Sequence, residues 1–223
     1  MCERRIILGK DFKSLDVEKR YRIINEALQE FTIKGFKNAS TNEIVKKAKV
    51  SKGALFHHFP TKQTLFESLY NYSMDVYMES LGHFFENMDD DIFARWISFA
   101  KVKLELVAKY PSMSDFVQRS MIDDDEGVQL FLKNELSKFS KIFSTQIFEG
   151  INTSKFRKDV DIKKAMQMLT WVLEGFANTW KEEIVDFSGD DIDKWGESLL
   201  TEFMHYINLL KISFYKEEFH HEL

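Results

Sequence analysis

Lys46, Lys47, Lys52, His57, His58 and Lys62 all fall in one short stretch, STNEIVKKAKVSKGALFHHFPTKQTLF, running from Ser40 to Phe66. Their chemistry is contact with anions: ammonium groups neutralise phosphates and donate to acceptors on base edges. Between them, Ile44, Val45, Ala48, Val50, Leu55 and Phe59 recur at helical spacing and supply a small apolar face, which leaves the basic side chains on the surface. Two short helices, a tight turn and a third helix docking them would carry such a surface into a DNA groove.

The ends of these helices are written in the residues. Ser40 followed by Glu43 reads as a capping box, each side chain accepting from the other residue's backbone N–H, so a helix should begin there and end near Lys49. Ser51 can cap the next helix, and Gly53 allows a backbone to approach closely. Pro60 stops that helix after Phe59, and Thr61 caps a third that starts at Lys62. The segment Lys52 to His58 is thus short, exposed and set at an angle to its neighbours.

A chain of 223 residues at 44% hydrophobic can bury a substantial core. No apolar run approaches the roughly 18 to 20 residues of a membrane helix. The start MCERRIILGKDFK is too charged for a secretory signal, so a cytoplasmic location is expected. The single cysteine, Cys2, excludes an internal disulfide framework. Charge is uneven: residues through Tyr70 carry +6 and the remainder −11, for a net −5. A basic head suits phosphate, whereas an acidic body discourages wrong docking.

With only Pro60 and Pro111 and no Gly/Ser linker, the chain reads as all-α, with about nine helices. Tyr21, Ile24, Leu28 and Phe31 form the first stripe, closed by Gly35. The helix from Lys62 runs toward Leu81. A helix from Ile92 ends before Pro111, a shorter piece spans Ser112 to Ile122, and the acidic run Asp123 to Glu126 precedes a helix that Gly150 ends. Two further stripes, Ile162 to Trp180 and Ile192 to Leu210, close the chain.

The ordered string Ser40, Ile44, Ala48, Val50, Ser51, Lys52, Gly53, Leu55, Phe56, His57, His58, Phe59, Lys62, Leu65 and Phe66 resembles the tetracycline-repressor (TetR) family of bacterial transcription regulators. The resemblance is carried by residues 17–77; from 78 onward only length and helical patterning agree. It implies an N-terminal extension (1–16), a three-helix helix-turn-helix DNA-binding head (17–77) and a helical ligand-binding and dimerisation body (78–223). It further implies a homodimer on a palindromic operator with half-sites about 34 to 36 Å apart. In such a head Lys52 and the Gly53 backbone would reach base edges and Ala54 a thymine methyl. Ser40, Thr41, Ser51, His57, His58 and Lys62 would contact phosphate. Two positions depart from the family pattern. Phe56 stands where tyrosine is common, keeping the ring and losing the hydroxyl bond. Lys49 stands where glycine is common, so the turn either tolerates a side chain or holds a strained left-handed residue.

Adjacent His57 and His58 project about 100° apart on a helix and cannot grip one ion, so no metal site is expected there or at His220, His221 and Glu222. Arg4, Arg5, Lys10 and Lys13 form either a minor-groove arm or a loose extension. The body is rich in Phe, Trp and Met, which suits an adaptable apolar pocket as well as simple core packing. By analogy with the family, Trp96, Phe99, Phe116, Phe143, Trp171 and Asn178 would line a pocket, with Lys103 and Glu174 as polar anchors. The last two helices would pack against their twins, or one of their stripes would pack within the chain. No nucleophile–base pairing, metal spacing or phosphate loop points to an enzyme, and no cofactor is implied. The function expected is a repressor released from its operator by a small, largely apolar ligand; the alternative is a DNA-binding protein of the same fold that answers to a protein partner.

Overall fold

The computed structural model describes residues 16–184 and 192–221. Cys2, Arg4, Arg5, Lys10, Lys13 and Glu222 lie outside those residues. Among the described residues the chain is all-α, with nine α-helices: α1 (Val17–Asn38), α2 (Thr41–Ala48), α3 (Lys52–His58), α4 (Lys62–Glu86), α5 (Ile92–Lys109), α6 (Pro111–Met121), α7 (Glu126–Phe148), α8 (Ile162–Ile184) and α9 (Ile192–Phe214). Two 3-10 turns, Thr153–Lys155 and Glu217–Phe219, complete it. α4 runs on to Glu86, past the expected end, because Gly82 keeps helical geometry and costs a helix interior only about 1 kcal/mol.

Two compact units make up the chain: one takes in residues up to Ser80 with Tyr110–Ser140, the other Leu81–Lys109 with the residues from Lys141. In the first, α1 packs on α2 and α6. Its core centres on Phe31, Phe66 and Phe116, with Phe66 edge-on to Phe31 at 5.3 Å and to Phe116 at 5.1 Å between ring centres. Burying each ring contributes about 2 to 3 kcal/mol. Ile23, Ile24, Ala27, Leu28 and Phe31 form the buried face of α1. Tyr21 is exposed instead, because its position falls outside that stripe.

Helix ends follow local chemistry. Asp16 caps α1, Ser51 Oγ accepts the Ala54 N–H at 3.1 Å, and Thr61 Oγ1 accepts the Thr64 N–H at 3.0 Å. Ser40 Oγ accepts the Glu43 N–H at 3.4 Å, but the return half of the expected box is not made. The Ser40 N–H donates to Glu30 Oε1 at 3.0 Å, since the buried α1 carboxylate is already aimed at it. At Gly35, where the sequence closes the first stripe, the geometry of α1 breaks with φ 67° and ψ 171°. A Cβ there would meet Asp123 Oδ2 at 3.2 Å, so both the backbone and the space call for glycine.

In the second unit, α5 packs on α9 and α9 on α8. The buried Asp91 caps α5 through the Phe93 N–H at 2.8 Å and accepts from Lys155 Nζ at 3.2 Å and Tyr215 Oη at 3.3 Å. Burial, together with that carboxylate, pushes the Tyr215 phenol far above its ordinary range. Arg95, also buried, donates to the Ile147 and Glu149 carbonyls at 2.9 and 2.6 Å and to the Asp89 carbonyl. The first two bonds satisfy carbonyls left open at the end of α7.

Candidate nucleic-acid interface and body sites

α2 and α3 are held from beneath. Ile44, Val45 and Ala48 of α2, Leu55 of α3 and Phe59 are buried in the first unit's core, and Arg22 Nε donates to the Ala48 carbonyl at 3.1 Å, closing α2. What remains outward is the basic side. Ser51, Lys52, Gly53 and His57 are exposed; Ser40, Thr41, Ala54, Phe56, His58 and Lys62 are partly so. The structure therefore brings the sequence-nominated residues of α2 and α3 onto one short helix pair and its flanks.

Within α3, Lys52 Nζ lies 5.7 Å from the centre of the Phe56 ring, an i, i+4 pair in which the aromatic face steadies the ammonium. The His57 and His58 rings meet edge to face at 5.1 Å. Among the described residues no group of three or more His, Cys, Asp or Glu is placed to hold a metal ion. His220 lies just beyond the Glu217–Phe219 turn, with its Nε2 3.1 Å from the Tyr215 carbonyl. Lys49 resolves the question of the turn: it sits at φ 56° and ψ 46°, in the left-handed region, where its N–H reaches back to the last turn of α2.

Lys62 is placed differently from the rest. Its ammonium donates to the Lys37 and Ala39 carbonyls at 3.0 and 3.2 Å and stands 4.7 Å over the Phe36 ring. Glu30, Arg22 and Asp123, none of them apparent as functional from the sequence, complete the support. Glu30 carries a readable signal, a carboxylate in phase with the apolar stripe of Ala27 and Phe31.

In the second unit, Trp96, Phe99 and Phe143 come together. Phe143 lies 4.6 Å from Phe99 and 5.6 Å from Trp96 between ring centres, and Phe84 and Phe85 extend the group. Lys103 Nζ stands 5.9 Å over the Phe99 ring. Trp96 Nε1 and Gln146 Oε1 are both buried without a hydrogen-bond partner. Gln146 lies one turn beyond Phe143 on α7. The other nominated residues lie elsewhere. Phe116 is 1% exposed in the first unit's core, packed on Phe66. Trp171, Glu174 and Asn178 are on the outer face of α8, with Trp171 62% exposed. Met168 on the same face and Tyr206, Leu209 and Ile212 on α9 are also exposed. A groove of about 730 Å³ runs between the two helices past Phe176, Thr179, Thr201 and Tyr206.

Residues 23–69 match the model of bacterial regulatory proteins of the tetR family, and residues 90–208, more than half the chain, match that of the tetracyclin repressor-like C-terminal domain. The chain belongs to the TetR family. TetR proteins are DNA-binding transcription regulators, not enzymes. The chain is 23% identical over 168 residues to the fatty acid metabolism regulator protein of Bacillus subtilis (strain 168), covering 73% of this chain and 83% of that one. Its fold is shared with a transcriptional regulator FadR from Bacillus subtilis in complex with stearoyl-CoA, at TM-score 0.61 and 18% identity, over 81% of this chain and 95% of that one. A TetR-family regulator from Syntrophomonas wolfei superimposes at TM-score 0.64 and 18% identity, over 87% and 95%. Among the described residues no helix is long and apolar enough to cross a membrane.

Proposed function

We propose that this TetR-family regulator is a cytoplasmic homodimeric repressor whose α3 helices read a palindromic operator and whose body releases DNA on binding a largely apolar effector. The observation that carries the DNA reading is the split character of α3: Leu55 is buried while Ser51, Lys52, Gly53 and His57 face outward from a helix fixed on its core side. Residues 17–77 would do the reading, with Lys52 and Gly53 on base edges, Ala54 on a thymine methyl, and Ser40, Thr41, Ser51, His57 and His58 on phosphate. Phe56 would act by stacking and by steadying Lys52. The test is selection of duplexes from a randomised pool by the purified protein; a two-fold symmetric motif is expected, and recovery of random sequence would sink the reading.

The second unit supplies the effector reading. Aromatic rings at Trp96, Phe99 and Phe143 suit an apolar chain, and the buried Trp96 Nε1 and Gln146 Oε1 suit a polar group attached to it. Since a relative is a fatty acid metabolism regulator, and FadR of the same fold holds stearoyl-CoA, a long-chain acyl thioester is the effector proposed. Stearoyl-CoA should release the enriched duplex and quench tryptophan emission at concentrations where free coenzyme A does neither. Equal effects of the two would remove the acyl chain from the account. Dimerisation is assigned to the exposed apolar side chains of α8 and α9, Trp171 and Leu209 foremost.

A further inference from the structure

The chain enters α2 through the segment Gly35 to Ser40, and three charged side chains from three different places hold that segment by its backbone. Glu30 on α1 accepts the Ser40 N–H at 3.0 Å. Asp123, between α6 and α7, accepts the Phe36 N–H at 2.7 Å. Lys62, in the first turn of α4, donates to the Lys37 and Ala39 carbonyls at 3.0 and 3.2 Å. The same ammonium stands over the Phe36 ring, which is itself packed edge-on to Phe66 at 5.4 Å.

An ammonium has three N–H donors. Two of those on Lys62 are spent on carbonyls, and the aromatic face takes up further charge. A phosphate would have to compete with partners already in place, whereas the Lys37 and Ala39 carbonyls would lose these bonds if the ammonium left. Asp123 is similarly committed: Oδ2 takes the Phe36 N–H and Oδ1 the Asp125 N–H at 3.0 Å. Because Ala39 and Ser40 lead directly into α2, a shift of this segment moves the helix pair that faces DNA.

We propose that Lys62 and Asp123 are positioning residues for DNA reading: they fix the segment Gly35 to Ser40 from α4 and from the α6–α7 connection, and Lys62 acts through that segment instead of neutralising a phosphate. The proposal rests on the DNA reading above. It separates two effects of a lysine that are usually confounded, since a phosphate contact carries a salt dependence and a backbone brace does not.

The test measures affinity for a duplex enriched by the wild-type protein, over a range of salt concentrations, for K62A, K62Q, D123A and D123N. K62A and D123A should each bind about tenfold more weakly, the loss expected from a charge-assisted bond. K62Q keeps amide N–H donors and should stay within about threefold of wild type, whereas D123N keeps only one of the two acceptor oxygens and should bind between D123A and wild type. The slope of log K against log salt should be unchanged in all four. A slope reduced by about 0.9 for each lysine removed, with K62Q as weak as K62A, would make Lys62 a phosphate contact and overturn the proposal. So would lower thermal stability with unchanged affinity of the folded protein. If K62A does not fold, K62Q decides by its slope alone. A wild-type protein that enriches no duplex fails the DNA reading itself, a result distinct from a changed slope.

Discussion

The Glu30 carboxylate, 2% exposed on α1, accepts the Ser40 N–H at 3.0 Å and pairs with Lys34 at 2.8 Å, so one buried anion ties the first helix to the cap of the second. Burial pushes its carboxyl up. The Lys34 and Ser40 hydrogen bonds and the charges of Lys34 and Lys47 outweigh that effect and hold it below the ordinary 4.5. A carboxyl lowered by folding stabilises fully above its unfolded value and loses that contribution as pH falls through the folded value. Glu30→Gln should therefore cost about 1 to 2 kcal/mol near pH 7, and the gap to wild type should close progressively as pH falls through the carboxylate range. Denaturant melts across that range check it; a constant gap would assign the loss to packing.

Lys49 is the only residue other than glycine with positive φ among the described residues. A left-handed L-residue costs roughly 1 to 2 kcal/mol, part of which glycine returns as unfolded-state entropy. Lys49→Gly is expected to raise stability by about 0.5 to 1 kcal/mol, and Lys49→Val to lower it. Chemical denaturation reads both, and a destabilised glycine variant would contradict the strain.

Tyr70 is buried beside Phe131, and its hydroxyl has no hydrogen-bond partner. Burial, with the charges of Glu135 and Tyr77, pushes the phenol up to about 12. Removing an unsatisfied buried hydroxyl relieves a desolvation cost, so Tyr70→Phe should be neutral or stabilising by up to about 1 kcal/mol. A clear loss of stability in thermal melts would show that the hydroxyl has a partner.

Lys52 is exposed at the start of α3 and steadied by Phe56. Lys52→Ala is expected to weaken binding and broaden the bases accepted at one position of each half-site, with a loss of about 1 to 3 kcal/mol. Sequencing of duplexes selected by the variant measures this. An unchanged motif would move base reading away from Lys52.

Trp171 presents a large apolar surface on α8. Trp171→Glu should shift the protein toward monomer in sedimentation at micromolar concentration, with α-helical content retained, because a buried unpaired carboxylate is costly at an interface. A dimer of unchanged affinity would relocate the interface.

How far the sequence reaches can be seen residue by residue. Ser51, Thr61 and Pro60 act within a few residues of themselves, so spacing alone located their helix ends. The Ser40 box was half right, because its N–H was claimed by Glu30, ten residues away across a fold that spacing does not encode. Lys62 reads in sequence as a basic residue at a helix start; only packing shows its ammonium turned toward carbonyls of the α1 end. In the body, analogy with the family groups Trp96, Phe99 and Phe143 but places Trp171 with them, since a stripe does not say which of its neighbours covers it.

The core that seats the helix-turn-helix includes Phe116, Val128 and Leu132, residues that arrive after α5 has been made. A transplanted fragment of residues 17–77 would leave Phe31 and Phe66 bare on one side, exposing apolar surface that invites aggregation. Chimeric regulators built from this chain would need to carry 110–140 along with the head, and a ribosome must finish that later segment before the reading helices have a complete seat.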